Sequence, residues 1–285
     1  MPEVKRPDGA TIHYEVSGEG FPLLMLAPGG LSSRIDAWAN EPFDPVQTLS
    51  HQFTVIAMDQ RHAGQSSAPR VPFDYEQTVA DQLAVLDALG FDKVLVYGAE
   101  IGCVHAWKLV REAPSRIAAV VAQRPIGRRD SNGYGVFYGA FDSTFRLARG
   151  EGISAVIDAA LAEPRFDVDP AGGPFAQRLN SDAEFRECFR NTRVENYITQ
   201  TLRFRDGLWP AQSRYFSVPE SWMREFPVPL YVLPGNGEMD PHSLAVQICE
   251  QVPGAQIHDS EWASLAGRSE AVATITRFLL DCVPQ

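Results

Sequence analysis

Five short apolar runs set the tightest limit on how this chain folds. They are "PLLMLA" at 22–27, "FTVIAM" at 53–58, "KVLVY" at 93–97, "IAAVVA" at 117–122 and "VPLYVL" at 228–233. Runs this short and this uniformly apolar suit strands buried on both faces, as in a parallel sheet. "ATIHYEV" at 10–16 alternates instead, is closed by "SGEG", and reads as a further strand. Helical patterns fall between the runs. Residues 75–90 put Val79, Leu83, Leu86 and Leu89 on one face and stop at Gly90. Residues 101–113, ended by Pro114, and residues 242–252 and 268–281 read the same way. Strand–helix alternation predicts a doubly wound α/β sheet flanked by helices.

The rhythm breaks between 126 and 226, where Gly, aromatic and Arg residues cluster and helix-like stretches occupy 153–162 and 182–205. The expected organisation is a core of residues 1–125 and 227–285 with a mainly helical cap, 126–226, over the carboxyl edge of the sheet. That edge is where open α/β sheets bind ligands. The chain has 285 residues, 45% of them hydrophobic, enough for one large domain with an insertion.

Several ordered motifs accompany this pattern. "LAPGGLSS" (26–33) follows the first apolar run, "MDQRHAGQSSAP" (58–69) the second and "VYGAEIGC" (96–103) the third. "VLPGNGEMDP" (232–241) closes the fifth, and "VPGAQI" precedes a last helix ending in "ITRFLL". Their order resembles the α/β-hydrolase superfamily, with "VYGAEIGC" at the nucleophile elbow. More narrowly, "APGG", "MDQR", "RPIGR" and the elbow are similar to an atypical branch in which the elbow residue is often cysteine. The resemblance implies a mostly parallel central sheet, an oxyanion loop at Gly29, Gly30 and Leu31, a second oxyanion amide on Ile101, and an acid at Asp240 or Glu238.

Departures from the superfamily pattern bear on function. The elbow position holds Glu100, and "EWASLAG" (261–267), where the catalytic histidine is expected, holds none. A working Ser-His-Asp triad cannot be written. Glu100 at a helix start can act as a general acid or base, giving lyase, isomerase, cyclase, dehydratase or water-activating hydrolase chemistry. It can act as an epoxide-hydrolase-like nucleophile, or it can mark a catalytically silent ligand-binding protein. The expected substrate is a small, partly apolar carbonyl, lactone, ester or epoxide compound, handled without a cofactor.

Asp240 and Glu238 are candidate partners for Glu100, since neighbouring carboxylates push their pKa values apart. His62 and His242 are candidate proton partners, whereas His105, five residues into the elbow helix, and His258, in the last strand, read as structural. Arg124, with Arg128 and Arg129, is placed to hold a substrate carboxylate or phenolate. Tyr138 and Trp209 are candidate lining residues of an apolar chamber. The net charge of −11 disfavours nucleic acid and anionic membranes as partners. No metal motif is present, the four cysteines have no ligand spacing, and no stretch of 18 apolar residues occurs. The expectation is a cytoplasmic protein acting on a small molecule, with a homodimer left open.

Overall fold

A computed structural model describes residues 2–69, 72–128, 133–163, 173–258 and 261–284. Eight strands make one sheet: β1 Glu3–Lys5, β2 Thr11–Ser17, β3 Phe21–Leu26, β4 Phe53–Met58, β5 Val94–Ala99, β6 Ile117–Gln123, β7 Leu230–Leu233 and β8 Gln256–Ile257. Their spatial order is β1-β2-β4-β3-β5-β6-β7-β8. β1 and β2 pair antiparallel to each other, and β2 antiparallel to β4; every pairing from β4 to β8 is parallel. The short hydrophilic β1 is a strand the apolar pattern does not reveal.

In chain order the α-helices are α1 Pro45–Leu49, α2 Tyr75–Ala88, α3 Ile101–Glu112, α4 Gly133–Tyr138, α5 Asp142–Ala162, α6 Ala176–Ser181, α7 Ala183–Arg190, α8 Val194–Leu208, α9 His242–Gln251 and α10 Gly267–Asp281. The expected helix over 182–205 is therefore two helices. The expected helix over 153–162 is the second half of α5, bent where Gly152 has φ +83°. None of the described helices is long and apolar enough to cross a membrane.

The apolar runs are buried on both faces because strand side chains alternate. Leu24, Leu26, Val94, Val96, Val120 and Val232 pack with Val85 and Leu86 of α2, Trp107 of α3 and Leu244 of α9. Their neighbours Leu23, Met25, Leu95, Val121 and Leu233 face the other way, with Trp38, Ile275 and Leu279. Fully burying one such side chain contributes roughly 1.5–3 kcal/mol. This makes the strand register stringent, because a slip of one residue exchanges the two faces.

The chain divides into two compact units, one of Met1–Ala68, Tyr75–Arg129 and Gln212–Gln285, the other of Pro69–Asp74 and Asp130–Ala211. Of the segment 126–226 expected as the cap, residues 130–211 fall in the second unit, whereas 126–129 and 212–226 group with the sheet. The second unit is helical and aromatic at its centre. Phe175, Phe185 and Phe189 contact one another, and Phe189 meets Tyr197 edge-on. Within that unit, Gly207 lets α8 approach the backbone at Phe73, whose carbonyl oxygen would lie 2.1 Å from an added Cβ.

Candidate active site

The site grows from the sharp turn between β5 and α3. Glu100 sits there with φ +48° and ψ −114°, a strained conformation for a residue with a side chain. Its amide donates to the Gln123 carbonyl at 3.0 Å, and its own carbonyl accepts from the Cys103 amide at 3.0 Å. Two glycines permit the turn. A Cβ on Gly98 would lie 2.7 Å from the Gly102 carbonyl oxygen, and one on Gly102 would lie 1.9 Å from the Leu26 carbonyl oxygen. The turn stands beside the end of β3, where the sheet's connections reverse direction, the general position of ligand crevices in such sheets.

The Glu100 carboxylate is engaged at both oxygens. Oε1 accepts from Arg124 Nη2 at 2.7 Å, and Oε2 accepts from the Gly29 amide at 3.3 Å. Arg124 follows β6, also with positive φ, and its amide donates to the Leu233 carbonyl at 2.8 Å. The same Nη2 donates to Glu41 Oε1 at 2.5 Å, and Nη1 lies 3.5 Å from Asp240 Oδ2. One guanidinium thus serves three carboxylates. Behind it, Gln123 donates from Nε2 to Glu41 at 2.5 Å and accepts from the Tyr97 hydroxyl at 2.5 Å. Burial works against the Arg124 charge, but Glu100, Glu41 and Asp240 more than offset it and its pKa rises. Burial raises the Glu41 pKa, opposed by Arg124 and reinforced by Glu100.

Asp240 is the buried carboxylate of the loop after β7, with only 9% of its side chain exposed. Cβ atoms on Gly235 and Gly237 would each lie 2.2 Å from one of its oxygens, so both glycines are needed for the loop to wrap it. Backbone amides of Asp240 and Gly237 donate to it, yet burial raises its pKa, with Arg124 opposing and Glu100 reinforcing. Asp240 and Arg124 line an open pocket of about 610 Å³, together with Gly235, His242, His258 and Trp262. His258 Nδ1 is 2.7 Å from the Tyr231 hydroxyl, and Trp262 Nε1 donates to the Pro234 carbonyl at 2.7 Å.

The candidates of the sequence separate clearly. Glu100, Asp240, Arg124 and Gly29 come together; Gly30 and Leu31 follow in the same loop, Gly30 with φ +59°, and Ile101 opens α3 beside the elbow. Glu238 is exposed to solvent. His242 is at the pocket wall, exposed, at the first position of α9. His62 does not join this group: it is half-buried near Arg61 and Asp8, and loss of solvent around it lowers its pKa to about 4. Arg128 is committed to the Ser213 carbonyl at 2.6 Å. Arg129 lies outside the described residues. Tyr138 and Trp209 belong to the second unit, where the Tyr138 hydroxyl donates to the Trp209 carbonyl. Arg124, expected to receive a substrate anion, is instead occupied by the protein's own carboxylates.

Glu41 is the partner that sequence reasoning missed. It lies in an irregular loop after the 3-10 turn Ile35–Asn40, and nothing in "WANEPFD" distinguishes it.

Residues 22–148 match the family model described as the alpha/beta hydrolase fold. Over 95 residues the chain is 36% identical to the soluble epoxide hydrolase of Corynebacterium sp. (strain C12), covering 33% of this chain and 31% of that one, so the match spans under a third of that protein's length. It is 23% identical over 260 residues to the putative carbamate hydrolase RutD of Azorhizobium caulinodans, covering 90% and 89% of the two chains. Among solved structures, the enol-lactonase from Burkholderia xenovorans LB400 superposes with a TM-score of 0.61 at 22% identity, over 99% of each chain.

Proposed function

From the premise that this chain has the α/β-hydrolase fold, we propose that it performs hydrolase-type, cofactor-free acid/base chemistry on a small carbonyl, lactone, ester or epoxide compound, with Asp240 carrying the proton. The observation behind this reading is the shared guanidinium. Glu100 has both oxygens engaged by Arg124 and Gly29, whereas Asp240 faces the pocket, is cradled by backbone, and has a pKa raised by burial. A carboxylate with a raised pKa is a better base near neutral pH than an ordinary one. In the hydrolytic form, a pocket water gives its proton to Asp240 as its oxygen bonds to the acyl carbon. The bond to the leaving oxygen then breaks, and that oxygen takes the proton back from Asp240. Arg124 holds Asp240, Glu100 and Glu41 in register.

A second reading, a silent ligand-binding protein, draws on the ion pair that engages Glu100. A nucleophilic Glu100 finds less support, because its carboxylate partners are Arg124 and Gly29, with no histidine among them to activate a second water. A panel of small esters, lactones and epoxides assayed with wild type, Asp240→Asn and Glu100→Gln separates the three. The expected result is wild-type turnover that falls by about 10²–10⁴-fold in Asp240→Asn. Turnover unaffected by Asp240→Asn, with substrate mass trapped on Glu100, moves the assignment to the covalent route. A wild type inert on the whole panel leaves the binding reading.

A further inference from the structure

The pocket wall carries an uneven set of charges among the described residues. Arg124 lines the wall, and no lysine does. Its Nη2 is divided between Glu41 and Glu100, its Nη1 approaches Asp240, and Glu261 adds another carboxylate to the lining. Among the described residues, four carboxylates therefore act against one guanidinium. Glu41 holds a particular place among them. Its side chain is 3% exposed and absent from the pocket wall, and it is anchored through Gln123 to the Tyr97 hydroxyl. It draws the guanidinium from behind, away from anything in the pocket.

We propose that Glu41 is a specificity-determining positioning residue: by consuming the Arg124 charge from behind, it makes the pocket accept ammonium-bearing or uncharged small molecules and reject carboxylates. Both the general preference and its direction follow from the distances. An anion entering beside Arg124 meets Asp240 and Glu261 in the wall and Glu100 and Glu41 already on the cation. A cation meets the same four groups as attractions. The inference rests on the pocket being the substrate site, but not on any chemistry occurring there.

The test compares two probes of similar size, benzyltrimethylammonium and benzoate, binding to the full chain by calorimetry at low salt and pH 8, where an ordinary histidine is neutral. Wild type is expected to bind the ammonium at least about tenfold more tightly than benzoate. Glu41→Gln frees part of the guanidinium, so the ratio is expected to fall about tenfold, with benzoate gaining affinity in absolute terms. Glu41→Asp keeps the charge and is expected to restore the wild-type preference. A merely loosened site weakens both probes together and gains no anion. If Glu41→Gln does not fold, Asp240→Asn removes one negative charge from the wall and must shift the ratio the same way. Benzoate binding wild type as well as the ammonium does, neither probe binding, or a ratio unmoved by the variants overturns the proposal. Charge selection without turnover sinks only the catalytic reading, and turnover without charge selection sinks only this one.

Discussion

Replacing Arg124 by methionine probes the centre of the site. The guanidinium bonds Glu41 at 2.5 Å and Glu100 at 2.7 Å, with Asp240 at 3.5 Å. Methionine keeps much of the apolar stem and removes the charge. Deleting one partner of a buried ion pair costs roughly 3–5 kcal/mol. The Arg124 side chain keeps 26% exposure, so solvent screening favours the lower end, about 3 kcal/mol near neutral pH. The loss must also depend on pH. Glu41, left unpaired with 3% exposure, escapes its charge by taking a proton. Measured from its ordinary value of 4.5, forced protonation costs at most about 0.7 kcal/mol at pH 5 and about 4.8 kcal/mol at pH 8. Burial already raises the Glu41 and Asp240 pKa values, and losing Arg124 raises them further. A folded pKa above the unfolded one means that the native state binds more protons, so stability is full at low pH and falls as pH rises. The stability gap between wild type and Arg124→Met should therefore widen from pH 5 to pH 8. Urea unfolding at three pH values, with unchanged slopes, measures it. A gap that stays constant or narrows with rising pH refutes the three-carboxylate account.

The remaining expectations concern the frame. Gly102→Ala places a Cβ 1.9 Å from the Leu26 carbonyl oxygen and 3.0 Å from that of Ala27. It should cost at least the roughly 1–3 kcal/mol of ordinary overpacking, read as a lower urea midpoint, and a neutral result would show that α3 is not pinned on β3. His105 is buried, bonds Thr78 at 3.2 Å, and burial lowers its pKa to about 3. Its contribution is present above the ordinary value of 6.5 and lost as pH falls toward 3. His105→Gln should flatten the acid decline of stability by up to about 1.4 kcal/mol per pH unit below pH 6.5, and an unchanged slope would contradict the buried neutral ring.

The elements themselves were legible in the residues. The five apolar runs became β3 to β7 within two residues at each end, because runs of five or six apolar residues bounded by turn residues suit strands buried on both faces and are too short for helices. The elbow was legible because Gly98 and Gly102 are sterically obligatory around Glu100. Less clear was the choice between Asp240 and Glu238, two residues apart in one loop. Burial and a glycine cradle distinguish them, and both are tertiary facts. His62 misled for the same reason: its neighbours are Arg61 and Asp8, from a network closed by the buried Asp81, which bonds Arg61 at 2.7 and 2.9 Å.

Sequence alone determined the parallel sheet, the order of its strands along the chain, and an acidic residue at a strained turn, because each is written in local steric or hydrophobic terms. Only the tertiary structure decided that Glu41, Glu100 and Asp240 converge on Arg124. Those four residues come from separate loops at the carboxyl edge of β3, β5, β6 and β7. A salt bridge leaves no periodicity in the chain, and the charge of Arg124 could have faced a substrate. It faces the protein because the sheet gathers those strand ends within a few ångströms, where unpaired carboxylates would otherwise be too costly to bury.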